Sequence, residues 1–191
     1  MPVSFSTNRR EIASFVRAKC AERPVYLDTE TTGLERGDEI VEIAIIDDSG
    51  ECLFDSLVRP SQLIPAAATR VHHITEEMVK TARPWPTLWP QIRSLLMGRL
   101  VVIYNAEFDL RMMAQSHGRY KLPWRENINS LCAMQLYAQY RGEWDMKYRS
   151  YRLARLEDAG RQCHISLPNS HRAKDDALLA RALFHFMAEN E

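Results

Sequence analysis

Four carboxylates and one histidine are the residues of this sequence whose types and spacing could do chemistry. Asp28 and Glu30 stand two apart, directly after the apolar segment Val25–Leu27. In an extended segment, residues i and i+2 point to the same face, so both carboxylates converge while Thr29 points away. Two acids on one face repel each other, and a bound divalent cation relieves that repulsion. The pair therefore indicates a cation site.

Asp109 follows a second apolar segment, residues 100–104, and stands near the start of a predicted helix. An acid in a first helical turn also has an ordinary explanation, because it interacts favourably with the helix dipole. Its position after a second strand favours function, since sites in α/β sheets lie where strands end. We expect the neighbouring Glu107 to point to solvent.

His171 and Asp176 stand five apart, around the start of the last predicted helix. Asp176 lies beside the apolar positions Leu179 and Ala180, where a carboxylate costs free energy unless it is paired or binds a metal. His171 precedes the helix, behind a loop that begins at Pro168. A loop histidine near carboxylates suits a general base, although a lone histidine more often has no special role.

The predicted elements that position these residues are three strands, followed by strands that alternate with helices. The β-branched run Ile40–Ile46 is typical of a buried central strand, and the turn at 48–50 makes the first three strands a meander. This order predicts a mixed sheet covered by helices on both faces. Asn8 and Glu11 resemble a capping box for the first helix. Strands are predicted from residue 25 and over 40–46, 52–58, 100–104 and 130–133, and helices over 8–22, 65–71, 75–80, after 86, around 108–113 and over 173–188.

Length and composition indicate a single domain of ordinary globular character. The chain has 191 residues, 46% of them hydrophobic, and a formal net charge of zero, which neither indicates nor excludes a nucleic-acid partner. The four cysteines form no C-x-x-C motif, which favours reduced thiols in a cytoplasmic protein. Residues 1–23 lack the apolar core of a signal peptide, and no apolar run predicts a membrane span.

The five residues, in this order and context, resemble those of the DEDDh class of DnaQ-like exonucleases, relatives of polymerase proofreading subunits. The resemblance covers about residues 24–188. Its motifs are D-T-E-T-T-G-L at 28–34, N-A-E-F-D at 105–109 and H-R-A-K-D-D at 171–176, with V-H-H-I-T at 71–75 similar to the usual VHGIT segment.

This resemblance implies a ribonuclease H-like three-layer α/β/α fold with a five-stranded mixed sheet. Residues 1–23 would be an N-terminal helical extension and residues 24–191 the exonuclease domain. Two divalent cations, Mg²⁺ or Mn²⁺, would be bound by the carboxylates, whose hard oxygens suit them. His171 would deprotonate the attacking water in 3′→5′ hydrolysis, which releases nucleoside monophosphates. The expected metal ligands are Asp28, Glu30, Asp109 and Asp176.

The resemblance also implies contacts to the substrate. Leu34 and Ile74 match positions that wedge against the terminal nucleotide, and Thr31 and Asn105 are supporting candidates. His73 replaces the usual glycine, where it would crowd the terminal nucleotide or add a phosphate contact. Tyr104 stands where the family often has histidine.

Several alternatives of substrate and partner stay open at this point. The substrate would be the single-stranded 3′ end of DNA or RNA, and a homodimer or a polymerase or repair partner is possible. An RNA-trimming nuclease or oligoribonuclease of the same class is the first alternative. The second is a catalytically silent binding module, against which the intact set of five residues argues.

An aromatic series and a basic cluster would suit a nucleic-acid strand. Stacking aromatics beside cations favour single-stranded nucleic acid, but the same spacing is that of a core-facing helix stripe, which is the favoured interpretation despite the interruption at Gly142. The basic cluster is either a solvated face or a patch that follows a backbone. The series is Tyr137, Tyr140, Trp144, Tyr148 and Tyr151, interleaved with Arg141, Lys147, Arg149 and Arg152; the cluster is Arg111, Arg119, Lys121 and Arg125.

Overall fold

A five-stranded mixed sheet forms the centre of the molecule in the computed structural model, which describes residues 9–167 and 170–190. The strand order is β3-β2-β1-β4-β5. The first three strands form an antiparallel meander, and β4 and β5 run parallel to β1. The predicted mixed sheet is therefore confirmed. Its strands are β1 (Val25–Thr31), β2 (Ile40–Ile46), β3 (Cys52–Leu57), β4 (Val101–Ile103) and β5 (Ser130–Cys132).

Helices cover both faces of this sheet, as a three-layer α/β/α fold requires. Alternation along β1 divides the interior in two: Tyr26 belongs to the core on one face and Leu27 to the core on the other. The helices are α1 (Arg9–Cys20), α2 (Ala66–His72), α3 (Glu76–Val79), α4 (Trp85–Leu96), α5 (Ala106–Arg119), α6 (Ala133–Arg141), α7 (Leu156–Gln162) and α8 (Ala173–Glu189).

One core lies between the sheet and the helices α1, α6, α7 and α8, and the other lies under α4 and α5. The amphipathic pattern of α8 buries Phe184 and Met187 completely in the first core. In the second core, Leu88 and Ile92 of α4 meet Met112 of α5. The two packed faces fix α5 and α8 on opposite sides of β1, which decides where their acids lie.

The N-terminal helix α1 belongs to the first core rather than to a sheet edge. Ile12, Ala13 and Val16 are buried there, and α1 packs mainly against α8 and α6. Helix α1 therefore does not cap a sheet edge, since the edge strands are β3 and β5. Asn8, the first residue of the predicted capping box, lies outside the described residues. Within the described part of the chain, no helix has the length and apolar character of a membrane span.

The aromatic series at 137–151 is divided between two structures. Tyr137 and Tyr140 lie on α6 and are buried, as the core interpretation predicts. Helix α6 then ends at Gly142, whose left-handed backbone (φ 73°) favours glycine. The rest of the series lies on a hairpin of β6 (Trp144–Asp145) and β7 (Ser150–Tyr151), so a single helix stripe is the wrong interpretation for that half.

Candidate active site

Three of the predicted carboxylates converge at the end of β1. Asp28 and Glu30 share one face of the strand, and Asp176 comes from the first turn of α8, which packs on that face. Ligand oxygens of the three lie within 4.8 Å of one another. The strand period of two and the packed face of α8 produce this convergence, although the two segments are far apart in sequence.

Asp109 approaches from the opposite face of the sheet, in the first turn of α5. Thr29, which points away from Asp28 and Glu30, donates its hydroxyl to Asp109 Oδ1 at 2.7 Å. Sequence reasoning assigned Thr29 no role, because its contact to Asp109 depends on how α5 packs. Asp109 is 4% exposed, and its neighbour Glu107 is exposed, as predicted.

The crowded, buried acids hold their protons more tightly than ordinary carboxyls. Burial and then the charges of neighbouring acids raise the pKa of Asp28 well above its usual range and that of Glu30 to about 8. Burial raises the pKa of Asp109 to about 7, against the lowering effect of the Thr29 hydrogen bond. Burial and the charge of Asp175 raise the pKa of Asp176 to about 7, opposed by the His171 backbone amide. The cluster therefore needs protons or cations to offset its charge.

Divalent cations fit this set of residues. Asp176 Oδ1 is buried and meets no hydrogen-bond partner among the described residues, a costly arrangement for a carboxylate oxygen. Carboxylate oxygens are the ligands that Mg²⁺ and Mn²⁺ prefer. The orphaned oxygen, the short separations and the raised pKa values all agree with ions held between these side chains.

The five residues that we predicted to carry the chemistry all line one cleft of about 700 Å³. His171 is exposed at its rim, in the left-handed backbone conformation (φ 51°), just before α8 begins. Its side chain therefore stands beside the acids without being fixed in the core. The cleft is lined by Asp28, Thr29, Glu30, Leu34, Tyr104, Asn105, Phe108, Asp109, Met134, the segment 153–157, His171 and Asp176.

Glu42 is a residue of the site region that sequence reasoning missed. It pairs with Glu30 across β1 and β2 and is 2% exposed. Arg172 Nε donates to both of its carboxylate oxygens, at 3.1 and 3.0 Å, and the Ala173 amide donates to Oε2 at 2.9 Å. Glu42 thus anchors the start of α8 and the residue after His171. The signal in the sequence was a single charge within an otherwise apolar strand.

Leu34, for which we expect a contact with the substrate, lies on the loop beside the cleft. Its side chain is 71% exposed and lines the cleft. Arg111 donates to the Leu34 carbonyl at 3.3 Å, and Gln115 donates to the Asp38 carbonyl at 3.1 Å, so α5 holds the loop that carries Leu34. A Cβ on Gly33 would lie 2.5 Å from Asp38 Oδ2. Glycine here therefore makes room for the Asp38 side chain.

The other predicted substrate contacts are placed differently. Asn105 is exposed and lines the cleft. Ile74 is fully buried beside Val79, so its predicted wedge role does not hold: its side chain packs in the interior. Thr31 is also buried and donates to the Gly33 carbonyl at 2.7 Å. Neither Thr31 nor His73 is among the described residues that line the cleft.

His73 has a local structural explanation. It ends α2 in the left-handed conformation (φ 61°), and its amide donates to the Thr69 carbonyl at 2.8 Å. A glycine adopts this conformation with less strain, which explains why glycine is usual at this position of the motif. The preceding His72 is buried, and its Nδ1 accepts the Ile74 amide at 3.0 Å.

The comparisons with known proteins agree with this geometry. The RNase_T family model, described as "Exonuclease", matches residues 25–184. The chain belongs to the RNase_T exonuclease family. This exonuclease is 38% identical over 171 residues to "Uncharacterized exonuclease CP81" of Escherichia phage 186, a match that covers 86% of this chain and 88% of the relative.

Two further comparisons, one of sequence and one of structure, agree with this assignment of the RNase_T exonuclease. It is 29% identical to the DNA polymerase III subunit epsilon of Treponema pallidum, over 84% of this chain and 74% of that protein. Exonuclease X, solved in complex with 5′ overhanging duplex DNA, superposes with a TM-score of 0.63 at 26% identity, over 87% of this chain and 92% of the other. The chain is thus a DnaQ-like exonuclease of the ribonuclease H-like fold, a hydrolase that acts on nucleic acids.

Proposed function

We propose that this exonuclease removes nucleoside 5′-monophosphates one at a time from the 3′ end of DNA, with two divalent cations, Mg²⁺ or Mn²⁺. The observation that carries the proposal is the convergence of Asp28, Glu30 and Asp176 within 4.8 Å, on a cleft that Asp109 also lines. Water adds to the terminal phosphorus and the P–O3′ bond breaks, which leaves a new 3′-hydroxyl. The released nucleotide carries the phosphate at its 5′ position.

Eight of the residues that line the cleft have a part in this proposal. Asp28, Glu30, Asp109 and Asp176 hold the cations, which when bound supply positive charge against the phosphate oxygens and acidity for the attacking water. His171 accepts a proton from that water, a role that its exposed position at the rim permits. Leu34 packs against the terminal nucleotide, and Asn105 donates to its sugar or phosphate. Thr29 orients Asp109 through its 2.7 Å hydrogen bond.

The preference for DNA is supported by the kinds of protein that this chain resembles. One is a subunit of a DNA polymerase, and another was solved with duplex DNA. The cleft is open at its rim, where Leu34 and His171 are both exposed, so a strand end can enter it. A cytoplasmic location and a polymerase or repair partner are consistent with this proposal.

Oligonucleotides labelled at the 5′ end test the proposal. The purified protein is incubated with Mg²⁺ or Mn²⁺ and matched single-stranded and double-stranded DNA and RNA. A ladder of DNA products that shorten from the 3′ end is the expected result. Cleavage of RNA alone would favour the RNA-trimming alternative, and cleavage of none of the four substrates would favour a binding module.

A further inference from the structure

The hairpin that follows α6 stands directly beside the cleft. We call residues 143–155 the arm; its strands β6 and β7 pair antiparallel through Trp144–Tyr151 and Asp145–Ser150. The end of the arm, residues 153–155, lines the same cleft as the acids. The Tyr104 hydroxyl, at the end of β4, donates to the Ala154 carbonyl at 2.9 Å. Tyr104, the departure from the usual histidine, therefore ties the base of the arm to the cleft.

The arm exposes large apolar side chains that the two cores leave out. Trp144 is 50% exposed, Tyr148 68% and Met146 81%. The Trp144 and Tyr151 rings pack perpendicular to each other at 5.1 Å between centroids, and half of the Trp144 side chain stays open to solvent. Single exposed apolar residues are common on protein surfaces, whereas several large ones grouped on one element mark an interaction surface.

The arm also concentrates positive charge in a chain whose net charge is zero. Its cations are Lys147, Arg149, Arg152 and Arg155, against two acids. Glu143 pairs with Arg141 outside the arm, and Asp145 lies 3.7 Å from Arg152. Among the described residues, Lys147, Arg149 and Arg155 are in none of the ion pairs formed by the two acids of the arm, so their charges are available to another partner. Lys147 Nζ lies 5.0 Å from the centre of the Tyr148 ring, so cation and aromatic face are presented together.

Aromatic faces next to cations recognise single-stranded nucleic acid, because bases stack on the rings and phosphates pair with the charges. Because the arm continues into the cleft, a nucleic-acid strand whose 3′ end lies at the acids would place its 5′ side along the arm. We propose that the arm binds the substrate strand on the 5′ side of the nucleotide being removed, with bases on Trp144 and Tyr148 and phosphates at Lys147 and Arg149. This inference rests on the proposed function and adds a strand-binding site to it.

Substrate length separates the arm from the cleft. The double variant Trp144→Ala/Tyr148→Ala is compared with wild type on a single-stranded 20-mer DNA and on thymidine 5′-monophosphate p-nitrophenyl ester, which is too short to reach the arm. Loss of base stacking raises KM for the 20-mer about tenfold or more, with kcat little changed. The variant retains the wild-type kcat/KM for the ester. The control Leu63→Ala removes another exposed apolar side chain, outside the cleft lining. It leaves the kinetic constants for both substrates unchanged.

Salt dependence tests the charged half of the arm. Affinity for a single strand falls as the salt concentration rises. In the double variant Lys147→Ala/Arg149→Ala, the plot of log affinity against log salt concentration becomes less steep, by about 0.7 for each lost phosphate contact. Lys80→Ala/Arg83→Ala, which removes two exposed cations outside the cleft lining and outside the basic cluster, is the matched control and keeps the wild-type slope. An equal fall in slope from that control would assign the affinity to general surface charge and would overturn the inference.

The remaining outcomes distinguish the two proposals. If wild type degrades the 20-mer and the aromatic variant has the same KM, the arm does not bind the strand, while the proposed function stands. Equal losses on the 20-mer and the ester, with an unchanged Tm, would mean that the arm shapes the cleft instead. If wild type cleaves neither substrate, the proposed function fails and the strand site fails with it.

Discussion

Asp175 and Asp176 are neighbours in the first turn of α8, and the structure gives them different surroundings. Asp176 is 7% exposed, with one oxygen that meets no partner among the described residues, whereas Asp175 accepts the Ser170 hydroxyl. We expect Asp176→Asn to abolish cleavage, because the cation loses a charged ligand. We expect Asp175→Asn to retain most of the activity. Cleavage of a labelled oligonucleotide measures both, and equal loss in the two variants would contradict the assignment of Asp176.

His171 should affect turnover without affecting the cations. In His171→Ala, the carboxylates remain in place and the group that accepts the proton is gone. We expect kcat to fall about 10²–10⁴-fold, the usual contribution of a general base. Titration calorimetry with Mn²⁺ should give nearly the wild-type affinity. If Mn²⁺ binding is lost instead, His171 is a ligand and not a base.

At the scale of elements, we expect the contact between β2 and the start of α8 to position His171. Glu42→Gln keeps the shape of the side chain and removes the charge that Arg172 and the Ala173 amide contact. Hydrogen bonds to a charged group contribute about 1.5–3 kcal/mol each, and Arg172 is partly exposed, so we expect a loss of about 1–3 kcal/mol in unfolding free energy. Because the segment before α8 loosens, kcat should fall while KM for DNA stays within about twofold.

Chemical denaturation and steady-state kinetics of the same preparation measure both effects of Glu42→Gln. Glu51→Gln, which removes an exposed carboxylate in the turn before β3, is the matched control. A stable Glu42→Gln protein with wild-type kcat would show that this pair does not position the histidine. Restoration of kcat by Glu42→Asp would support the role of the charge.

The elements that sequence predicts most clearly are those with a long and regular pattern. The uniform burial of Ile40–Ile46 and the apolar face of α8 appear in the structure as their residue types require. Helix α7, of 7 residues, and the arm were not predicted, and α6, of 9 residues, was predicted only as part of a longer helix stripe. The stripe was extended too far because the aromatic residues from Tyr137 to Tyr151 keep a helical spacing across the break at Gly142.

At the scale of the whole molecule, the motifs predicted which acids meet, but not what supports them. Three motifs in register were sufficient to indicate a shared cleft for residues from β1, α5 and α8. The contacts of Thr29 with Asp109 and of Glu42 with Arg172 join residues that stand 80 and 130 positions apart in the chain. No local pattern encodes such pairs, because they depend on the crossing of the packed layers. Ile74 is a second example: its motif position predicted a contact with the substrate, but the packing of the chain buries its side chain.

The gathered acids should make the stability of the metal-free protein depend on pH in an unusual direction. Glu30, Asp109 and Asp176 have pKa values of about 8, 7 and 7 in the folded protein. In the unfolded chain their pKa values are about 4. A raised folded pKa means that the folded state binds protons more tightly. The stabilisation is therefore complete below about pH 4 and is lost as pH rises through 7 to 8.

Thermal and chemical unfolding in EDTA measure this dependence. We expect the unfolding free energy to fall by about 2 kcal/mol or more between pH 5.5 and pH 8.5, since each unit of pKa difference corresponds to about 1.4 kcal/mol. Mg²⁺ at a hundredfold excess over its dissociation constant should restore about 2.7 kcal/mol at pH 8.5. The slope against pH should be shallower in Asp176→Asn, which removes one of the repelling charges. A metal-free protein that becomes more stable as pH rises over this interval would show that the carboxylates do not share one desolvated cluster, and the cation site would lose its physical basis.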